Sequence, residues 1–125
     1  MVDNDLMYSI TGAIFEVSHN MGPGLLEKVY HKALAYELEQ RGHKVESEKL
    51  IKVTYKDVDL GLEYYADLVV NDTVIIEIKS VKSLEDVHRA QLINYLRLTH
   101  KPLGVLVNFN TPRAEIERLA NKYNQ

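Results

Sequence analysis

An α/β fold is predicted for this chain of 125 residues, and three patterns carry that expectation. A strongly apolar stretch, TVIIEIKS, is followed by a helical pattern and then by a second apolar stretch, LGVLVNF. That is a βαβ unit, so the two strands should run parallel with a right-handed crossover. Ahead of it, two further strand-like segments are separated by turn residues, and the chain before them shows helical spacing of its apolar side chains.

Taken in order, Leu6, Ile10, Ala13, Ile14, Val17 and Met21 give a first helix. NMGPG interrupts it, with Pro23 between two glycines. LLEKVYHKALAYELEQR forms a second helix, in which Gly24 is expected as N-cap and Gly42 as the left-handed stop. KLIKVTY ends at a Lys56–Asp57 turn, GLEYYADLVV ends near Asn71–Asp72, and TVIIEIK completes an antiparallel meander. Ser83 and Asp86 have capping-box spacing for a helix running through His100, which Pro102 ends. After LGVLVNF, Thr111–Pro112 is expected to open a last helix carrying Ile116, Leu119, Ala120 and Tyr123. The expected order is α-α-β-β-β-α-β-α in one domain over residues 1–125.

Composition excludes several classes. The chain has no cysteine, so thiolate zinc sites and disulfides are ruled out. Its histidines (His19, His31, His43, His88 and His100) lack HExxH or similar ligand spacing. The acidic N-terminus MVDNDLMYS does not read as a signal peptide, and nothing approaches the roughly 18 apolar residues of a membrane helix. A cytoplasmic protein without membrane association is the expectation. A net charge of −3, from 15 basic and 18 acidic side chains, argues against a protein that coats DNA non-specifically. It leaves room for an enzyme with a local basic rim.

Four sites break the apolar pattern. Glu77 and Lys79 lie two apart in TVIIEIKS, so an extended strand points both to one face. Their flanks, Val74, Ile75, Ile76 and Ile78, suit a central strand, where an ion is costly to bury; the bland alternative is a surface ion pair on an edge strand. Asp67, in YYADLVV, reads either as a strand-end carboxylate or as a partner of Glu77. A two-residue Asn71–Asp72 loop would send it to the opposite face, whereas an odd loop or a bulge would bring the two together. If the two acids cooperate, the odd arrangement is expected. Glu27 would sit at N3 of the second helix, a dipole-favoured place for any carboxylate, yet it shares an inward stripe with Tyr30, Leu34 and Leu38. Gln91 and Tyr95 share a helix face with Leu84, Val87 and Leu98, and His88 lies one turn before Gln91; boundary, core and solvated roles are the respective alternatives. GPGLLE is a near miss for a dinucleotide loop, but its glutamate would repel a pyrophosphate and no strand precedes it.

Three carboxylates in one cleft would repel one another, and the single lysine beside them does not neutralise all three, so a further cation is needed. A hard divalent metal answers that need: Asp67 and Glu77 as ligands, Glu27 directly or through water, and the Ile78 carbonyl as a further oxygen. Lys79 would orient water or stabilise charge developing on phosphorus, and Gln91 and Tyr95 would hold the substrate backbone or the water. That chemistry is phosphodiester hydrolysis.

The order helix-Glu27, strand-Asp67, strand Glu77-x-Lys79, helix Gln91-x-x-x-Tyr95 resembles the PD-(D/E)XK nuclease superfamily. GPGLLEKVY resembles the GxxExxY proteins placed within it, and the match runs from about Ile10 to Phe109. The resemblance implies a restriction-endonuclease-like αβββαβ core with a four-stranded mixed sheet, here with an extra helix at each end. It also implies Mg²⁺-dependent cleavage of nucleic acid, with Mn²⁺ as a substitute, and Glu27, Asp67, Glu77 and Lys79 in the catalytic positions. Gln91 and Tyr95 match the Q-x-x-x-Y element of exonuclease-like members. Ala66 stands where the motif has proline, which removes a stiff residue but no ligand. DNA ranks ahead of RNA as substrate, and a homodimer or larger complex would help so small a unit to grip it. Tyr30, Lys28, Lys82, His88 and Arg89 are the candidate substrate contacts. Two other readings compete: a non-catalytic nucleic-acid- or protein-binding module that keeps the fold, and a structural protein with a buried salt-bridge network.

Overall fold

The structure is a computed structural model and describes residues 2–123. Helices α1 (Asn4–Met21) and α2 (Glu27–Gln40) lead into strands β1 (Val45–Tyr55), β2 (Val58–Val70) and β3 (Val74–Lys79). Helix α3 (Asp86–Thr99), β4 (Leu103–Asn108) and β5 (Glu115–Ala120) follow. The five strands form one mixed sheet in the order β1-β2-β3-β4-β5. β3 and β4 are parallel and every other neighbouring pair is antiparallel. No helix among the described residues is long and apolar enough to cross a membrane.

The helices cover the two faces of the sheet. Ile10, Ala13, Ile14 and Val17 of α1 and Tyr30, Leu34 and Leu38 of α2 pack on Leu68, Val70, Val74, Ile76 and Ile78. Leu92, Tyr95 and Leu96 of α3 pack on the other face, against Ile51, Ala66, Val69, Ile75 and Leu106. Helical spacing therefore marks the inward faces of α1 and α2 correctly. β3, buried nearly throughout, is apolar on both sides because both sides are covered. Gly104 lets α3 approach closely: a Cβ there would sit 2.8 Å from the Leu92 side chain.

The structure corrects three expectations. It has five strands, not four, because Glu115–Ala120 is a strand rather than a C-terminal helix. β4 is buried on both faces and needs hydrogen-bonding neighbours along both edges. β3 fills one edge, and the six residues of β5 satisfy the other along the full ladder from Leu103↔Ala120 to Asn108↔Glu115. So short a segment gains little as an isolated helix. Alternation fits the strand, since Glu117 meets Arg89 of α3 and Ile116 packs on the opposite core. α2 begins with Leu26 rather than Gly24 as N-cap, which puts Glu27 at the first helical position instead of N3. α3 is capped by Glu85, not Ser83, and its box is closed by His88, whose Nδ1 accepts the Glu85 N–H at 2.9 Å.

Candidate active site

The hairpin between β2 and β3 decides whether the acids meet. Val70 pairs with Val74, so the loop is Asn71–Asp72–Thr73, an odd number of residues. Asn71 and Asp72 take left-handed backbone angles, φ 51° and 57°, which these two residue types tolerate well. Continuing the register from Leu68↔Ile76 sets Asp67 opposite Glu77 on the α3 side of the sheet.

The backbone ladder stops there, and the two side chains replace it. Glu77 Oε2 accepts the Asp67 N–H at 2.8 Å, and Asp67 Oδ2 accepts the Ile78 N–H at 2.8 Å. Oδ1 of Asp67 and Oε1 of Glu77 have no hydrogen bond among the described residues. β2 also changes face here: Ala66 and Val69 both lie on the α3 side, while Leu68 and Val70 lie on the other. Across the hairpin, Glu48 holds a left-handed φ of 50° at the position that the β1–β2 register sets opposite Asp67. A non-glycine residue held this way is a local irregularity of the sort that gathers at functional sites.

Lys79 and the α3 pair complete the row. Lys79 Nζ donates to Gln91 Oε1 at 3.4 Å, and Gln91 Nε2 donates to the Tyr95 hydroxyl at 3.2 Å. Tyr95 is buried, and Gln91 is exposed. Glu27 comes from the other side of the sheet, at the first turn of α2. Tyr30 fixes that turn: its hydroxyl accepts the Leu25 N–H at 3.0 Å and donates to the Gly22 carbonyl, while its ring stacks on Phe109 at 4.7 Å. The Ser80 hydroxyl, just after β3, donates to the Leu25 carbonyl at 2.8 Å and ties the same turn to the strand of Glu77 and Lys79.

Electrostatics shows what this proximity costs. Burial, then the Asp67 charge, pushes the Glu77 carboxyl up to about 8, although Lys79 and the Asp67 N–H oppose the change. Burial raises Asp67 as well, against the Ile78 N–H, His31 and Lys79. Glu27 is raised by partial desolvation and by Asp67, with Lys79, His31 and His88 opposing. Burial and the Glu77 charge raise the Tyr95 hydroxyl. All three carboxyls are thus shifted upward, Glu77 furthest, and Lys79 opposes the shift in each.

The donor set fits a hard divalent cation in kind: carboxylate oxygens, two of them uncommitted, in a place short of positive charge. Mg²⁺ typically takes one or two carboxylates and completes its shell with water. Asp67 and Glu77 are the side chains so placed. Among the described residues no three His, Asp or Glu side chains are gathered closely enough to hold an ion by themselves. Glu27 therefore stands within electrostatic reach of the pair rather than beside it.

The other candidates divide. Tyr30 is fully buried and bonded at its hydroxyl, so it braces the turn ahead of Glu27 and presents no exposed surface. Arg89 is engaged by Glu117 in two bonds, 2.7 and 2.8 Å, and by Asp86 at 2.9 Å. Lys28 and Lys82 are exposed, and His88, part of the α3 cap, reaches Glu27 electrostatically. Two residues were not found by sequence reasoning. His31 acts on both Glu27 and Asp67, and Glu48 adds a further acid near Asp67. The i, i+4 spacing of Glu27 and His31 was the available signal for the first; the second needs the hairpin register.

A family model described as the PD-(D/E)XK nuclease superfamily matches residues 4–119. No curated protein and no solved structure matches the chain.

Proposed function

Because the chain belongs to the PD-(D/E)XK nuclease superfamily, which generally comprises metal-dependent nucleases, we propose that it hydrolyses phosphodiester bonds of nucleic acid with Mg²⁺, at Asp67, Glu77 and Lys79. The observation that carries this reading is the pairing of Asp67 with Glu77 across the β2–β3 hairpin, with Lys79 on the same face as Glu77. Its GPGLLEKVY segment favours the GxxExxY group within the superfamily. DNA is the first substrate to test, Mn²⁺ the first replacement metal, and the cytoplasm the working location.

When bound, the divalent ion supplies charge neutralisation at a phosphate oxygen and a more acidic water. Asp67 and Glu77 would hold the ion with their free oxygens, since a backbone N–H group fixes the other oxygen of each. The ammonium of Lys79, steadied by Gln91, offsets negative charge as it grows on the phosphoryl group. Tyr95 fixes the Gln91 amide and so orients the Lys79 partner. Glu27, with His31 near it on α2, lies within electrostatic reach of the pair and would hold water at the site.

The test is cleavage of single- and double-stranded DNA and RNA with Mg²⁺, Mn²⁺ or EDTA, with Lys79→Ala and Asp67→Asn as controls. Metal-dependent cutting lost in both folded variants supports the reading; cutting that survives both overturns it. One observation favours a second reading, a non-catalytic nucleic-acid- or protein-binding module: no three acidic or histidine side chains converge at ligating distance among the described residues. That module would bind its partner equally well with either substitution and would never cut.

A further inference from the structure

A concavity lies beside the row formed by Lys79, Gln91 and Tyr95. It encloses about 520 Å³ between the β1–β2 arm and α3, with Val53, Leu62 and Tyr64 on one wall and Val87, Gln91 and Tyr95 on the other. That volume lies within the range of about 300–1,000 Å³ typical of small-molecule sites. Gln91 and Tyr95 belong to both this cleft and the row that begins at Lys79, so whatever fills the cleft is continuous with the candidate site.

The chemistry of the walls selects the occupant. No charged side chain lines the cleft, so nothing there would hold a phosphate. Instead it offers the ring of Tyr64, which is 42% exposed, tilted 40° from the Tyr95 ring at 6.2 Å. Aliphatic groups surround the rings, and one of them, Val87, is 68% exposed rather than facing inward as its spacing predicts. Two amides, Gln91 and Asn94, supply the polar edge. Aromatic faces, an apolar floor and a few amides suit a nucleobase, which stacks on its faces and hydrogen-bonds at its rim. A base within a duplex has both features already occupied. The chain, at net −3, also lacks the excess of positive charge with which a protein grips duplex phosphates.

We infer that this cleft is a base-binding subsite, and that the substrate is nucleic acid with unpaired bases: a single strand, or an end that can open, with one base seated against Tyr64 beside the phosphate at the acidic pair. This rests on the nuclease reading for its placement but not for its test.

The test measures binding and cleavage separately. Anisotropy of a short labelled single strand, its duplex and the same strand with abasic central positions is recorded in Ca²⁺ buffer for the full chain. The variants are Tyr64→Ala, and Ala90→Leu, which fills the cleft from an exposed helical position while keeping helix propensity. The single strand should bind more tightly than the duplex. Tyr64→Ala should weaken it by roughly 5- to 150-fold, the stacking worth of one base, while the abasic strand changes by less than about twofold. Ala90→Leu should act in the same direction. Equal losses for the intact and abasic strands, or no loss in either variant, overturn the subsite. A variant that shifts the sedimenting species from dimer to monomer also overturns it and makes the cleft a subunit interface. Cleavage in Mg²⁺ is scored alongside: discrimination without cutting keeps the subsite and removes the hydrolytic reading, and cutting without discrimination does the reverse.

Discussion

Replacing Glu77 with glutamine should make the protein more stable at alkaline pH. Glu77 is 3% exposed, and burial with the Asp67 charge carries its pKa from 4.5 to about 8. Between those values the folded chain keeps a proton that the unfolded chain has released, so raising the pH favours unfolding. The protonated group's advantage is fully present below about pH 4.5 and is gone above about pH 8. At about 1.36 kcal/mol per pKa unit the whole change sets a ceiling of about 5 kcal/mol. Water in the cleft and relaxation of its neighbours reduce this, and a gain of about 2 kcal/mol is expected above about pH 8. Glutamine keeps an oxygen to accept the Asp67 N–H, so the strand contact survives. The assay is thermal melting in EDTA from about pH 5 to 9, where the wild-type midpoint should fall more steeply than that of Glu77→Gln. At the upper end the variant should melt about 8 °C higher. Adding Mg²⁺ should raise the wild-type midpoint by mass action and leave the variant nearly unmoved. Parallel pH profiles, or a wild type that stays the more stable above about pH 8, would refute the claim that Glu77 is buried against its own charge.

Lys79→Ala should lower the cleavage rate at least about 100-fold, with the circular dichroism spectrum unchanged. It should also steepen the fall of stability with pH, because Lys79 opposes the rise in the Glu77 pKa. Leu26→Ser should stabilise the chain by about 1 kcal/mol in urea titration, since the N-cap of α2 has no side-chain hydrogen bond and Leu26 is exposed. Arg89→Met should lower the melting temperature by releasing Glu117 on β5, an effect that shrinks in high salt, and should leave nucleic-acid affinity unchanged. Gly104→Ala should cost about 1–3 kcal/mol in the same titration, because the new methyl would press on Leu92.

Much of this was legible in the residues because it follows from local periodicity. The stripes of α1 and α2, the apolar β3 and β4, and the break at the glycines after α1 need no knowledge of the rest of the chain. Parity arguments went further, since they tied a shared site for Asp67 and Glu77 to an odd loop or a bulge. Thr73 supplies the odd residue, and β2 shifts face at Ala66–Leu68 as well. β5 was missed because Ile116, Leu119 and Ala120 have spacing compatible with a helix, and only the empty edge of β4 decides otherwise. The caps slipped by two residues for a similar reason: Ser83 and Gly24 are good cap residues by type, but the loops that carry them end elsewhere. Tyr30 shows the limit of a motif. It was a candidate substrate contact although its spacing set it on an inward stripe, and the stripe prevails: it is buried, and its hydroxyl is bonded within the Gly22–Leu25 turn just ahead of Glu27.

The crossed bonds from Glu77 to the Asp67 amide and from Asp67 to the Ile78 amide also work as a clasp on strand alignment. A slip of β2 along β3 by one residue would open both halves at once and leave two amides and two acids unmatched. Misaligned molecules would thus forfeit the proposed metal-binding pair together with the clasp. Preparations that fold imperfectly should then contain fully competent and wholly inert molecules in varying proportion, rather than a uniform population working at reduced speed.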